Sequence, residues 1–334
     1  MIDASKVKYD LAIITPTGEK FFLTEFIHGG VLEENNGELA ARLEVKLQNK
    51  QLPSGKFVCN LTPLGGKVFL YANWGVGWQE VFRGTIFIWD YLNDGNPHYT
   101  ITAYDDLIYL IKSEDDRFYK SGTTAKAIIQ DIAGAWGIPL GTVEGPNAPL
   151  AKQVFRGETL ADMITKVVDQ SRKQGSGKWV VRSKQGKIDV IRPGQNTPVY
   201  HFGAYDTAIQ ASDQQSIEQL VTRVRVMGAE NKDARTGVVA TLDGKTEFGI
   251  LQKLVYSQQY DNVGAAKAAA QELLNEEGKP QKIRKMTAVD LPSLRKGDKV
   301  HVAAGTLLGH FIVAGVVHDI KTGTMVMEVG DIAG

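Results

Sequence analysis

Apolar and polar residues alternate along much of this chain, the period of a strand with one buried face. Tyr9 to Ile14, Lys20 to Ile27 and Leu39 to Leu47 follow it, the last with Leu39, Ala41, Leu43, Val45 and Leu47 on one face. Lys67 to Leu70 and the aromatic-rich run Val81 to Tyr91 continue the pattern. Thr15-Pro16-Thr17-Gly18, Leu52-Pro53-Ser54-Gly55, Leu64-Gly65-Gly66 and Asp94-Gly95-Asn96-Pro97 carry turn chemistry between these runs. The opening part of the chain therefore predicts an antiparallel barrel or sandwich.

Near Asp105 the period becomes helical. Thr123 to Trp136 sets Ala125, Ile128, Ile129, Ile132 and Trp136 on one stripe, with Gly137 and Pro139 as stop signals. A second helix carries Leu160, Met163, Ile164, Val167 and Val168 on one face, with Thr159 at the N-cap and Asp162 three residues on. A hairpin follows, Lys178 to Arg182 and Lys187 to Arg192, turning at Gln185-Gly186. With Lys152 to Phe155 in front it forms a β-α-β-β unit. Arg192-Pro193-Gly194-Gln195-Asn196 reads as a linker, after which strands resume. Leu220 to Met227 alternates, and Val238 to Leu242 is expected to pair with Thr246 to Ile250 across Asp243-Gly244. One helix, Val263 to Glu277, capped by Asp261 or Asn262, reads as an insertion on a barrel, and four strands close the chain.

The two strand-rich parts echo each other. Lys67 to Asp105 and Lys299 to Asp331 each open with an alternating strand, reach a glycine-led apolar strand, turn, and end in a strand closed by an aspartate. Val68 lies 16 residues before Gly84, and Val300 lies 15 before Gly315. The fold expected is α+β, mainly β: two related antiparallel β-barrel domains flanking a small β-α-β-β domain. The expected boundaries are 1–117, 118–195 and 196–334, with the helical insertion at 262–278.

At 334 residues the chain can bury two or three cores. Its single cysteine, Cys59, excludes an intrachain disulfide and a multi-cysteine metal site. The apolar run Phe311 to Val317 is far too short for a membrane span, and the N-terminus lacks the apolar core of a signal peptide. The balance of 38 basic and 38 acidic residues conceals a net −5 in residues 1–117, +6 in 118–195 and −1 in 196–334. A cationic middle segment suits an acidic partner, a polyanion or solvent.

Candidate chemistry is sparse. Gly175-Ser176-Gly177-Lys178 has Arg172 and Trp179 where a phosphate loop needs glycine and Ser or Thr, so it reads as a turn. Asp90, Asn93, Asp94 and Asn96 lack the spacing and terminal Glu of a calcium loop. Asp105, Asp106, Glu114, Asp115 and Asp116 cluster as sequence neighbours, which suits a solvated linker better than a sugar-sized cleft. His310 and His318 are expected on one strand face about 26 Å apart, too far to share a metal. Cys59 reads as a structural thiol. No catalytic, cofactor or metal residues are assigned, and interface residues are not legible.

Gly157-Glu158-Thr159-Leu160 and Ile164 are similar to the opening of LysM peptidoglycan-binding modules, with Gly122, Thr124 and Ile129 repeating the spacing. The hairpin after the helix departs from LysM, which places a second helix there. Across the whole chain, Thr159-Leu160-Ala161-Asp162-Met163-Ile164, the hairpin Lys178 to Arg192, and Leu294-Arg295-Lys296-Gly297-Asp298-Lys299-Val300 through Val316-Val317-His318 occur in an order that resembles the baseplate hub proteins of contractile phage tails and tailocins. The nearest likeness is to the hub of PBSX-type prophages, with a distant one to the late control protein D group. The resemblance implies a non-enzymatic homotrimer whose six barrels meet a hexameric tail tube protein on one side and a trimeric central spike protein on the other. It also implies other baseplate proteins as partners, DNA only by passage through a lumen, and assembly in the bacterial host cytoplasm. Peptidoglycan binding through the LysM-like middle segment is the alternative, and a hydrolase has no motif behind it.

Overall fold

The structure is a computed structural model describing residues 7–92, 97–204, 207–228, 236–257 and 262–332. It comprises two compact units, Met1–Ser212 with Lys285–Gly334, and Asp213–Arg284. The chain opens with β1 (Lys8–Ile14), β2 (Lys20–Phe22), β3 (Ile27–Glu34), β4 (Arg42–Gln48), β5 (Lys67–Asn73), β6 (Gln79–Leu92) and β7 (His98–Tyr104). The middle follows with α1 (Ile108–Ile111), β8 (Glu114–Tyr119), α2 (Ala125–Ala135), β9 (Leu140–Val143), β10 (Gln153–Thr159), α3 (Leu160–Ser171), β11 (Val180–Lys184) and β12 (Lys187–Ile191). After β13 (Tyr200–Gly203) and β14 (Ala208–Ser216) come β15 (Arg223–Met227), β16 (Val238–Asp243), β17 (Gln252–Tyr256) and α4 (Val263–Glu277). The chain closes with β18 (Gln281–Val289), β19 (Lys299–Ala304), β20 (Leu307–Asp319) and β21 (Thr324–Asp331).

The first barrel has the strand order β3-β4-β7-β6-β5-β1, and the second has β14-β18-β21-β20-β19-β13. Ranked by position in the chain, the two orders are the same permutation. Alternate residues of all six strands of the first barrel, from Leu11 and Ile13 on β1 to Leu32 on β3, enter one core. The terminal strands can share a core with the central ones only if the sheet curls round. In the second barrel Phe202, Met286, Val300, Val302, Val313, Val316, Met327 and Val329 from five strands share a core, and Ala208 and Ala211 of β14 pack against it half-buried. One strand differs in sense: β1 runs antiparallel to β5, whereas β13, arriving from the middle domain, runs parallel to β19.

The likeness extends to single hydrogen bonds. Gly65 N–H donates to Ile86 O and Ile86 N–H to Gly66 O, both at 2.9 Å. In the second barrel Gly297 N–H donates to Val313 O and Val313 N–H to Asp298 O, both at 2.8 Å. Immediately beyond, each long strand bulges, at Ile86/Ile88 in β6 and at Val313/Gly315 in β20. This register corrects the glycine alignment expected from sequence. Gly84 faces Val68, but Phe311, not Gly315, faces Val300.

Several local expectations change in the folded chain. The run Lys20 to Ile27 is broken by a 3-10 turn at Thr24–Phe26, where Thr24 Oγ1 accepts Leu11 N–H at 3.0 Å. The strand expected from Leu39 starts at Arg42, because Leu39 and Ala40 pack in the middle domain's core. The β-α-β-β order is present, yet β10 pairs with β8 while the hairpin β11-β12 takes β9 alongside in parallel. The second middle helix begins at the expected cap, with Thr159 Oγ1 accepting from Asp162 N–H, and the first begins at a cap not foreseen, Thr124, whose Oγ1 accepts from Ala127 N–H. The Asp94-Gly95-Asn96-Pro97 turn, all but Pro97, and the alternative cap Asp261 lie outside the described residues.

In the unit Asp213–Arg284, β15 is central, with β16 antiparallel and β17 parallel to it. The tight hairpin expected at Asp243-Gly244 does not form. Thr222 holds the chain there instead: its carbonyl accepts Gly244 N–H at 2.8 Å and its hydroxyl accepts Leu251 N–H at 2.8 Å. The segment is thereby led past β16 to the far side of β15. Helix α4, capped by Asn262 through Ala265 N–H at 2.9 Å, covers Val224, Val226 and Val255 with Ala266, Ala270 and Leu274.

Two glycines make opposite predictions. A Cβ on Gly84 meets Tyr104 O at 2.3 Å, whereas one on Gly134 in α2 meets nothing within 4 Å. Gly84→Ala is expected to lower unfolding free energy by roughly 1–3 kcal/mol through overpacking. Gly134→Ala is expected to raise it by about 0.5–1 kcal/mol through helix propensity. Urea denaturation of the two variants checks both signs.

Candidate assembly interface

The most extensive functional geometry is the joint between the barrels. β3 has β4 on one side and the distal half of β20 on the other, with Glu34, Glu33, Leu32 and Val31 opposite Val316, Val317, His318 and Asp319. The proximal half of β20 pairs with β19. Because β19 is short, β20 outruns it and offers an open edge past the bulge, which β3 fills. One continuous sheet thus passes from barrel to barrel.

Two polar clusters lock this joint. In the first, the Arg295 guanidinium donates through Nε to Glu34 and through Nη2 to Ser183 O at 2.8 Å. Arg182 Nη1 donates to Lys296 O at 2.7 Å and to Asp298 Oδ1 at 2.9 Å, and Asp298 Oδ2 accepts Arg295 N–H at 3.0 Å. The first barrel, the hairpin of the middle domain and the second barrel therefore meet in one charged cluster. Burial pushes the Glu34 carboxyl up, but the adjacent Arg295 outweighs it and holds the group below the ordinary carboxylate range. Burial likewise presses the Lys296 ammonium down, with Glu34 and Asp105 opposing.

The second cluster is fully buried. Asp290 accepts the Tyr9 hydroxyl from β1 and faces His318 Nδ1 at 2.6 Å. His318 Nε2 faces Leu294 O at 3.0 Å. Both ring nitrogens of His318 thus face oxygen atoms. This overturns the expectation that His310 and His318 share a face. The bulge after Val313 inverts the alternation, leaving His310 outside and turning His318 inward.

Other residues singled out in the sequence stay apart. Asp105 is no solvated linker residue: its carboxylate is buried and accepts Ala41 N–H and Leu107 N–H, each at 3.0 Å. Burial pushes it up to about 7. Glu114 to Asp116 lie on β8, and Asp115 pairs with Arg117 at 2.9 Å. Gly175 to Lys178 forms the bend between α3 and β11, with Gly175 at φ 86° and Gly177 at φ 74°. Cys59 is half-buried against the first core. Of the suggested calcium ligands, Asn93, Asp94 and Asn96 lie outside the described residues. Within the cationic middle segment Lys166 pairs with Glu158 at 2.6 Å, and Arg172 and Lys173 with Asp169 at 2.6 and 3.1 Å, while Arg182 pairs outside it with Asp298 at 2.9 Å.

Three histidines that look unrelated in the sequence become neighbours. The in-register strands β13, β19 and β20 put His201 Nδ1 2.7 Å from His301 Nδ1 and the His301 and His310 rings 4.8 Å apart. Slight burial and the two neighbouring imidazoles lower the His301 pKa. Among the described residues no group of three or more His, Cys, Asp or Glu is placed to hold a metal ion, and no helix is long and apolar enough to cross a membrane.

A family model described as YQBQ-like matches residues 34–330. The chain belongs to the YQBQ-like family. Its match begins at Glu34, the last residue of β3, and includes Arg295 and all of β20. The uncharacterized protein YqbQ of Bacillus subtilis (strain 168) is 25% identical over 229 residues, 67% of this chain and 68% of that protein. The 43 kDa tail protein of prophage MuSo2 from Shewanella oneidensis superposes with a TM-score of 0.72 at 12% identity, covering 97% of this chain and 98% of that one. The E. coli c3393 protein, described as a type VI secretion component structurally similar to the T4 tail proteins gp27 and gp5, gives a TM-score of 0.56 at 9% identity over 92% and 74% of the two chains. This YQBQ-like chain therefore has a fold seen in phage tail proteins. In the sequence Leu294 to Val300 stands out only as a family motif. Glu34, Tyr9, Asp290 and Arg182 carry no local signal, because their partners are brought together solely by the joint.

Removing one member of a buried ion pair strands the other, so Arg295→Met is expected to cost about 3–5 kcal/mol. The double variant Glu34→Leu/Arg295→Met is expected to recover part of that loss, as read by denaturant unfolding. Asp105 gives a pH signature. Its raised pKa means the folded chain holds the proton more tightly, so its stabilising contribution is complete below about pH 4 and lost as pH rises through about 7. Stability measured across that window should fall in the parent chain, and the slope should flatten in Asp105→Asn.

Proposed function

We propose that this chain is the structural, non-enzymatic hub of a contractile-tail or tailocin baseplate. The observation that carries this reading is the repeated strand permutation of the two barrels, joined edge to edge within one chain. Three such chains supply six similar barrels, which lets a threefold object mate with a sixfold one. On this reading one face of the ring nucleates the hexameric tail tube and the other seats the trimeric spike. The ring travels with the tube when the sheath contracts. Residues 1–117 and 196–334 are assigned to the ring, and 118–195 to a small domain that braces it through Arg182 and Ser183.

The fold likeness to tail and type VI secretion proteins supports a structural place in a baseplate. The pairing of Arg182 with Asp298 of the second barrel favours bracing over capture of a cell-wall polymer. Assembly in the bacterial host cytoplasm, and a lumen that passes DNA if the particle is a true phage, follow from the same reading.

Native mass spectrometry of the full chain, alone and with its cognate spike, tests it. A threefold species, formed alone or with the spike, is expected. A chain that stays monomeric in both conditions, or that enriches on purified peptidoglycan or clears cell-wall suspensions, would overturn the hub reading.

A further inference from the structure

The joint between the barrels occurs once inside the chain, and its counterpart is left open. In the second barrel, Val316 to Asp319 lie beyond the bulge of β20 and receive β3. The matched hydrogen bonds put Ile86 in the place of Val313, so Trp89 to Leu92 of β6 stand where Val316 to Asp319 stand. These β6 residues pair with β7 on one side, from Trp89 opposite Ile101 to Leu92 opposite His98. No strand pairs with their other edge among the described residues. Most side chains there are apolar and exposed, Ile88 by 50%, Trp89 by 38%, Tyr91 by 40% and Leu92 by 53%, with one exposed carboxylate, Asp90, among them.

The strand that corresponds to β3 in the second barrel is β14, second in the same permutation. It ends the sheet, with β18 on one side and no strand on the other among the described residues, and Ile209 upon it is 60% exposed. Within one chain β14 stands seven strand spacings from β6 along the sheet, about 34 Å at roughly 4.8 Å per step. The chain thus presents the two halves of a contact it already makes elsewhere. Unpaired, apolar strand edges are sites that soluble proteins cover or blunt.

We infer that the distal edge of β6, Trp89–Leu92, receives β14 of a second copy of this chain, antiparallel, as β3 is received by β20. The contact is heterologous, since different surfaces meet, and repetition of it closes a ring or extends a filament. This inference rests on the ring reading above and specifies which strands form the seam between chains.

Cross-linking in a Cys59→Ser background tests it. Leu92→Cys is prepared in one sample, and Gln210→Cys, Ala211→Cys and Ser212→Cys in three others, because directly opposed residues in such a pair place their Cβ atoms about 4.5–5.5 Å apart. Oxidation of Leu92→Cys mixed with the matching β14 variant, under conditions that give the threefold species, should yield an interchain disulfide. Leu92→Cys by itself should yield none, and a chain bearing both cysteines should stop at a linked trimer. A second variant, Trp89→Lys/Leu92→Lys, should keep the circular dichroism of the parent and lose the threefold species. Linking of Leu92→Cys to itself, or a trimer that persists in the lysine variant without any β6–β14 link, overturns this seam and leaves the hub reading standing. Absence of any oligomer with the parent chain and its spike overturns both.

Discussion

A strand edge presents a row of N–H and C=O groups that must be paired, solvated or hidden, and the architecture here turns on that requirement. β20 exceeds its neighbour β19 because the latter runs only from Lys299 to Ala304, and the bulge at Val313/Gly315 re-aims what remains. β3 satisfies the exposed edge. Had β19 been longer, no place for β3 would exist, and two barrels would hang on a linker instead of sharing a sheet.

Backbone pairing alone leaves a sheet joint free to slip in register, and the buried charges remove that freedom. Glu34 sits opposite Val316 and can meet Arg295 only in one register. Tyr9 reaches Asp290 under the same condition, and Asp290 in turn holds His318. Buried ion pairs contribute little net stability compared with apolar packing, but breaking them is costly, so they discriminate between arrangements. The middle domain adds Arg182 and Ser183 to the same cluster, which ties its hairpin to the joint.

The duplicated barrels carry nearly identical hydrogen-bond landmarks on dissimilar side chains. Gly84 in one position corresponds to Phe311 in the other, and β1 and β13 run in opposite senses relative to their partners. What the two copies share is therefore strand order, the glycine-led entry at Gly65 and Gly297, and the bulge.

The alternation of Tyr9 to Ile14, the stripes of α2 and α3, the caps Thr159 and Asn262, and the Gln185-Gly186 turn were legible in the chain itself, because each depends on residues within a few positions. The related organisation of the two strand-rich parts was legible too, as an order of elements. Tertiary structure alone decided that Leu39 and Ala40 leave the first barrel for the middle core, that Thr222 unmakes the Asp243-Gly244 hairpin, and that a bulge turns His318 inward. It also decided the joint, whose members Tyr9, Glu34, Arg182, Asp290 and Arg295 are separated by up to 281 and 261 positions in their pairs. Local pattern reports which face of a strand is apolar; which edge that strand will meet depends on how long its neighbours are and where they bend.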